Sequence, residues 1–285
     1  MQWLVVGANG MLGTDLVAML TTRGERVSGI DREQIDITDA AATADLAAAV
    51  DVVVNCAAYT AVDAAEGNED TAFTVNAVGA ANIARAARSS GARLVHVSTD
   101  YVFSGRAAEP YPEDFPLDPL TAYGRTKAAG EWAVRAECPD HLVVRTAWLY
   151  GAAGACFPRT IASAARERGR LEVVEDQIGQ PTWTMDLAAL IADLVTSEAP
   201  AGTYHGTASG KASWFEFARA VVSAAGLDPR MIHPTSSAGY VRPAKRPAFS
   251  VLGHDALRRI GVAPIGPWDA RWAAAAESVL ASGPG

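Results

Sequence analysis

Tyr123 and Lys127 stand four residues apart in Tyr123-Gly124-Arg125-Thr126-Lys127, behind a Pro-rich loop running from Glu109 to Pro119. On a helix, four residues make about one turn, a rise of roughly 6 Å, so a phenol and an ammonium would share one face. A phenol of ordinary pKa ~10 exchanges protons poorly near neutrality, and an adjacent cation favours its ionised form. Such a pair is chemistry for giving a proton to a small substrate, or taking one from it. The spacing alone is weak, because Tyr-x-x-x-Lys arises by chance in many helices. It gains weight from Val97-Ser98-Thr99-Asp100-Tyr101-Val102-Phe103 upstream, which reads as a strand ending in hydroxyls at the carboxyl edge of a sheet, where open α/β folds bind ligands.

A second chemical signal lies at the start of the chain. Gly7-Ala8-Asn9-Gly10-Met11-Leu12-Gly13 follows an apolar run and opens a helical pattern. Gly7 permits the tight turn, Gly10 lets the backbone approach a pyrophosphate, and Gly13 lets the helix pack closely, so that phosphates would meet a helix N-terminus. The spacing G-x-x-G-x-x-G differs from the fingerprint of the simple Rossmann enzymes, and a Gly-rich turn without a ligand is the competing reading. Asp31 ends the next apolar run, placed to take both hydroxyls of an adenosine ribose, which points to NADH. Arg32 follows it and suits a 2′-phosphate, so NADPH stays equally open.

The remaining candidates are tied to charge. Formal net charge is −8 and the pI about 5.2, the wrong sign for binding nucleic acid or an anionic membrane. An anionic ligand must therefore be small and met by a local cluster of cations. Arg242-Pro243-Ala244-Lys245-Arg246 offers three cations in five residues, with phosphate recognition by Arg242 and Arg246 as one reading and a solvated loop as the other. Trp148 offers a stacking face for a pyrimidine, although a Trp at a strand end is as often core. Cys56, Cys138 and Cys156 are an odd set without C-x-x-C spacing, and the five histidines lack helical zinc spacing, so neither disulfides nor a metal site is expected. The chain opens on Met1-Gln2-Trp3-Leu4-Val5-Val6 with no signal-peptide pattern, and no apolar run reaches the ~20 residues of a membrane span. A cytoplasmic protein is expected.

The elements that must position these groups follow from periodicity. Short β-type runs alternate with Ala-rich helical patterns, the signature of βαβ units around a buried parallel sheet. Strands are expected over 3–6, 26–30, 52–55, 93–98 and 142–146, and helices over 11–22, 39–49, 71–90 and 122–136. Right-handed crossovers make this an α/β, doubly wound Rossmann sheet. After Thr146 prolines punctuate the chain, and strong helices are expected only over 157–168, 185–197 and 213–225, the last opening with a Ser213…Glu216 capping box. This divides the 285 residues into a dinucleotide-binding domain over 1–150, to which the chain returns around 183–205, and a smaller, mostly helical substrate lobe within 151–285. The terminal 282–285 are expected to fray.

Taken together, 7–13, Asn55-Cys56-Ala57-Ala58-Tyr59-Thr60, 98–103 and 123–127 resemble the extended short-chain dehydrogenase/reductases. Thr60-Ala61-Val62-Asp63-Ala64-Ala65-Glu66, Arg145-Thr146-Ala147-Trp148-Leu149-Tyr150, Asp176-Gln177-Ile178-Gly179-Gln180-Pro181-Thr182 and Arg246-Pro247 narrow the likeness to the dTDP-4-dehydrorhamnose reductase family, over nearly the whole chain. One departure is Ala248-Phe249-Ser250-Val251, where that family has small and polar residues and a second Arg. The resemblance implies a catalytic set of Thr99, Tyr123 and Lys127. It implies cofactor contacts at Gly10, Met11, Leu12, Asp31, Asp36, Ile37, Ala57, Ala58 and Tyr59, and sugar-nucleotide contacts at Thr99, Asp100 and Trp148. Tyr123 would protonate the reduced oxygen, and Lys127 would hold the nicotinamide ribose and lower the Tyr pKa. Related sugar-nucleotide 4,6-dehydratases carry an Asp-Glu pair after the Thr, for removing water, whereas here Asp100 is followed by Tyr101. The expected activity is NAD(P)H-dependent reduction of dTDP-4-dehydro-6-deoxy-L-mannose to dTDP-L-rhamnose. The alternatives are another dTDP-4-ketosugar in a specialised pathway, or a non-catalytic dinucleotide-binding regulatory subunit. Homodimer formation is left open.

Overall fold

The computed structural model describes residues 1–239 and 241–281; the expectation for 282–285 lies outside the described residues. Six parallel strands, β1 (Gln2–Val6), β2 (Arg26–Ile30), β3 (Val52–Asn55), β4 (Arg93–Thr99), β5 (His141–Thr146) and a late-arriving Gly202–His205, form one sheet. Its order is Gly202–His205, β5, β4, β3, β1, β2. Alternation along β1 and β3 assigns each face. Trp3, Val5, Val52 and Val54 point to one hydrophobic core, and Leu4, Val6 and Val53 to the other. Helix α1 (Met11–Thr22) covers the first face with Leu12, Leu16 and Leu20, beside Leu187, Ile191 and Leu194 of the helix Thr184–Thr196. The second face carries Ile83, Ala84 and Ala87 of Ala80–Ser90, with Val134 of Ala122–Glu137. Helices on both faces of a parallel sheet make the doubly wound arrangement expected from the βαβ rhythm.

Two helical expectations need correction. Over 39–49 only Ala40–Thr43, α2, is helical. Asp39 caps it by accepting from the Ala41 and Ala42 N–H groups, and then Leu46, Ala48 and Val50 donate three residues back in successive tight turns. Those turns place Ala47, with Leu46 and Val50, against the sheet. Over 71–90 the helix is continuous but of mixed pitch: Glu69–Phe73, a π-helical turn over Thr74–Gly79, then Ala80–Ser90. Gly79 is where the wider turn meets Ile37; a Cβ there would lie 2.7 Å from the Ile37 Cδ1.

In the second half, Phe157–Arg168, Trp214–Ala224 and Trp268–Ala281 pack around Tyr150, Phe217 and Trp272. The Ser213–Glu216 capping box forms as expected. Trp268–Ala281 was not expected, although Trp272, Ala275, Ala276 and Val279 recur at helical spacing and are its buried residues. No helix among the described residues is long and apolar enough to cross a membrane.

Candidate active site

β1 has β2 on one side and β3 on the other, so its carboxyl end is the point where the winding reverses. Gly7 sits there at φ 81°, and a Cβ on it would come within 2.7 Å of the Ala57 nitrogen. Gly13 is pressed against the turn in the same way, 2.2 Å from the Gly7 oxygen to a notional Cβ. Side chains at either position would push the turn away from the sheet. Gly10 is the N-cap of α1, and no side chain caps the helix, so its first N–H groups face outward beside an exposed glycine. Met11 and Leu12 send their side chains into hydrophobic cores. Leu12, being buried, can meet a ligand only through its backbone, whereas Met11 stays partly exposed.

Asp31, at the tip of β2, closes this end. Its Oδ2 accepts the Asn9 N–H at 3.0 Å and its Oδ1 the Arg32 N–H at 2.8 Å, while the Arg32 side chain is exposed. The Asp36 carboxylate accepts both N–H and Oγ1–H of Thr38, which hold it below its ordinary pKa. Ile37 is core rather than cleft. Ala57, Ala58 and Tyr59 follow β3 as a partly buried loop held at both ends: Asn55 Oδ1 accepts the Ala57 N–H at 3.1 Å and Asn76 Oδ1 the Tyr59 N–H at 2.8 Å. Asn76, on the π-helical turn, also donates to the Tyr59 carbonyl and to Thr126 Oγ1. It ties the loop to the helix that carries Tyr123 and Lys127. Sequence reasoning missed Asn76, since nothing local distinguishes one Asn in an Ala-rich helix.

Thr121 caps that helix, Ala122–Glu137, by accepting the Gly124 N–H. One turn along it, Lys127 is buried and donates to the Val97 carbonyl at 2.7 Å. Burial pushes its ammonium down to about 8. Thr99 ends β4 beside Tyr123, and its Oγ1 donates to Asp100 Oδ1 at 3.0 Å. The Tyr123 ring meets Tyr101 edge-on at 5.6 Å. The depressed phenol expected from Tyr-x-x-x-Lys is absent. Burial pushes Tyr123 up to about 12, Thr99 beside it works against the rise, and Asp100 adds to it. Asp100 is buried, its Oδ2 has no hydrogen-bond partner, and desolvation carries its carboxyl up to about 6.

Beyond Tyr101 opens a cleft of about 1030 Å³, lined on one side by Phe157, Ile161 and Trp214 and on the other by Arg106, Arg242 and Lys245. Two candidates from the sequence, Arg246 on the cleft wall and Trp148, are engaged with other side chains. Arg246 is clasped by Asp63 through both terminal nitrogens and also donates to the Ala244 carbonyl, so its donors are largely committed within the protein. Trp148, at φ 49°, lies stacked on Trp214 with ring centroids 3.6 Å apart, which removes one face from base stacking. Cys56, Cys138 and Cys156 are free thiols, and burial lifts Cys56 to about 12, leaving it unreactive. Among the described residues no three His, Cys, Asp or Glu side chains gather as a metal set.

Comparison with known proteins matches the chain to a known family. The family model described as "RmlD substrate binding domain" matches residues 1–280. A dTDP-4-dehydrorhamnose reductase of Streptomyces griseus is 45% identical, covering 94% of this chain and 91% of its own. The chain belongs to the dTDP-4-dehydrorhamnose reductase family. A Streptomyces niveus relative at 46% identity, covering 94% and 93%, is a dTDP-4-keto-6-deoxy-D-glucose reductase. Among solved structures, a Bacillus anthracis dTDP-4-dehydrorhamnose reductase in complex with NADP superposes with a TM-score of 0.92 at 36% identity, covering 96% of this chain and 98% of its own.

Proposed function

We propose that this chain reduces the 4-keto group of a dTDP-4-keto-6-deoxy sugar with NAD(P)H, with dTDP-4-dehydro-6-deoxy-L-mannose as substrate and dTDP-L-rhamnose as product. The observation that carries the reading is Tyr123 beside Thr99, with buried Lys127 one helical turn on, at the carboxyl edge of the sheet. The residues fit a dinucleotide: an uncapped helix N-terminus for its pyrophosphate, Asp31 for its ribose, and Lys127 beneath the nicotinamide end. When bound, the reduced cofactor supplies a hydride.

The protein's own groups handle the oxygen. Tyr123, kept protonated by burial, donates its proton to the C4 oxygen as negative charge develops there, and an alkoxide is basic enough to take it from a phenol near 12. Thr99 turns its one hydroxyl proton from Asp100 to the same oxygen, holding it against Tyr123. The cations Arg106, Arg242 and Lys245 face the diphosphate across the cleft. The absence of an acidic residue after Asp100 fits reduction without loss of water. Residues 1–150 with 183–205 would form the cofactor domain and the rest of 151–285 the substrate lobe.

A second substrate, dTDP-4-keto-6-deoxy-D-glucose, is favoured by the Streptomyces niveus relative at an identity matching that of the rhamnose enzyme. Purified protein offered both ketosugars with NADPH and then NADH decides between them. Cofactor oxidation with dTDP-4-dehydrorhamnose supports the first, oxidation with the glucose isomer alone supports the second, and none with either removes the reductase reading.

A further inference from the structure

His96 is the residue of the site for which this mechanism has no use, yet it is buried in β4 directly below Lys127. Asn55 Oδ1 accepts the Ala57 N–H at 3.1 Å, which fixes the amide so that its Nδ2 faces the His96 Nδ1 at 3.2 Å. An amide NH₂ can only donate, so the His96 Nδ1 accepts. Burial, aided by the charge on Lys127, pushes the imidazole well below its ordinary value and keeps it neutral. Its one proton then belongs on Nε2, which points at the Lys127 Nζ from 3.5 Å. A donor is aimed at a donor. The opposite tautomer would turn the Asn55 amide and set its NH₂ against the Ala57 N–H at 3.1 Å, a closer and worse opposition.

Resting on the reading that Lys127 serves the reacting site, we propose that Asn55 and His96 are positioning residues for it: Asn55 fixes His96 as the Nε2–H tautomer, and that N–H opposes the ammonium form of Lys127. The lysine is thereby steered to the Val97 carbonyl and outward to the cofactor rather than into the sheet. Other groups act on it as well: Glu131 on its own helix favours the ammonium, as does Cys56 after β3, and Tyr123 stands one turn before it. Burial opposes them, and His96 works on the same side as burial.

Asn55→Asp reverses the device, because a carboxylate accepts from both the Ala57 N–H and a His96 Nδ1–H. The Nε2 lone pair then faces Lys127, and the added negative charge favours the ammonium too. The basic limb of the kcat profile should move up by about 1–3 pH units, the range for a nearby opposite charge. A purely structural role would lower kcat or Tm and leave the limb where it was, which overturns the proposal. Nitrogen-15 NMR of histidine-labelled wild-type protein, with His96 assigned through its backbone, needs neither activity nor a variant that folds. A protonated Nε2 with a bare Nδ1 is expected, and a protonated Nδ1 overturns the assignment. Failure of wild-type protein to reduce any ketosugar would instead strike the functional reading, and the tautomer result would be unaffected.

Discussion

The two halves of the site are held in place by different forces. On the cofactor side, contacts are made by backbone or by side chains that fasten backbone: Gly7 and Gly13 by close approach, Asp31 on the Asn9 N–H, Asn55 and Asn76 on the loop after β3. On the substrate side, 248–250 are fastened by backbone bonds, Phe249 N–H to Gly105 and Ser250 N–H to Ile178, while 242–246 are placed by a side-chain ion pair spanning 183 residues, Asp63 with Arg246, at the wall of a cleft of about 1030 Å³. Backbone geometry at a strand–helix junction tolerates few residue types, whereas an ion pair at a cleft mouth can be exchanged at little cost. The cofactor half should therefore resist change in position, and the substrate half is where one fold could be adapted to different ketosugars.

Removal of the proton donor should have the largest effect. Tyr123→Phe keeps the ring and its edge contact with Tyr101, and should lower kcat by roughly 10²–10⁴-fold, the range for losing a general acid. Calorimetric affinity for NADPH should stay within about twofold. Turnover near wild type would remove Tyr123 from the chemistry, and a parallel loss of NADPH binding would show that the two halves are not separable.

The next effect is on folding and tests how rigid the cofactor half is. Glu131, one turn beyond Lys127, is buried and takes both Arg145 Nε and Nη2 at 2.8 Å, with Ser98 donating at 2.7 Å. Burial works against its charge, yet Arg145 and Ser98 hold the carboxyl below its ordinary range. Arg145→Met removes two of that carboxylate's bonds and leaves it to Ser98 and to the half-exposed Arg135, whose Nη2 donates at 2.8 Å. Breaking a buried pair costs about 3–5 kcal/mol, or roughly 6–20 °C in Tm for a chain of this size. Thermal unfolding followed by circular dichroism measures it, and a loss under 2 °C would mean that the Glu131 charge is satisfied elsewhere.

How much of this could be read from the chain follows the same division. The glycine turn, Asp31 and Tyr123–Lys127 are local patterns whose chemistry dictates their spacing, and α1 begins and ends where its periodicity says. The shortened α2 was not legible, because Thr43, Leu46, Ala47 and Val50 carry the spacing of a full helix face while the chain makes separate tight turns there. Arg246 was legible as a cation but not as Asp63's partner, since no spacing links residues 183 apart. Trp148 likewise reads as a free stacking face until Trp214 is brought onto it. The helix Trp268–Ala281 is different: its apolar spacing was present and its alanines masked it.

Cofactor choice tests the edge of the rigid half. Asp31→Asn keeps an oxygen for the Asn9 N–H but loses the charge, so it should raise KM for NADH about tenfold, the scale of one charge-assisted hydrogen bond. Arg32→Ala should raise KM for NADPH selectively. Initial rates with both cofactors measure this; equal changes for NADH and NADPH in each variant would show that neither side chain reads the ribose.

The smallest effect sharpens the comparison most. Side-chain exposures of 25% for Arg246 and 32% for Asp63 make their pair partly solvated, and such pairs contribute up to about 1 kcal/mol. If Arg246 serves only to hold the loop, Arg246→Ala and Asp63→Ala break the same contact. Each should then weaken dTDP binding by the same factor, no more than roughly fivefold, with the double variant no worse than either single one. If instead Arg246 leaves Asp63 to meet the diphosphate, removing Asp63 frees it and dTDP binds more tightly, while Arg246→Ala alone loses affinity. Titration of dTDP into the four proteins by calorimetry separates these outcomes. Opposite signs for the two single variants would mean that the substrate half closes on its ligand by exchanging ion pairs, and that the clasp is the state it leaves.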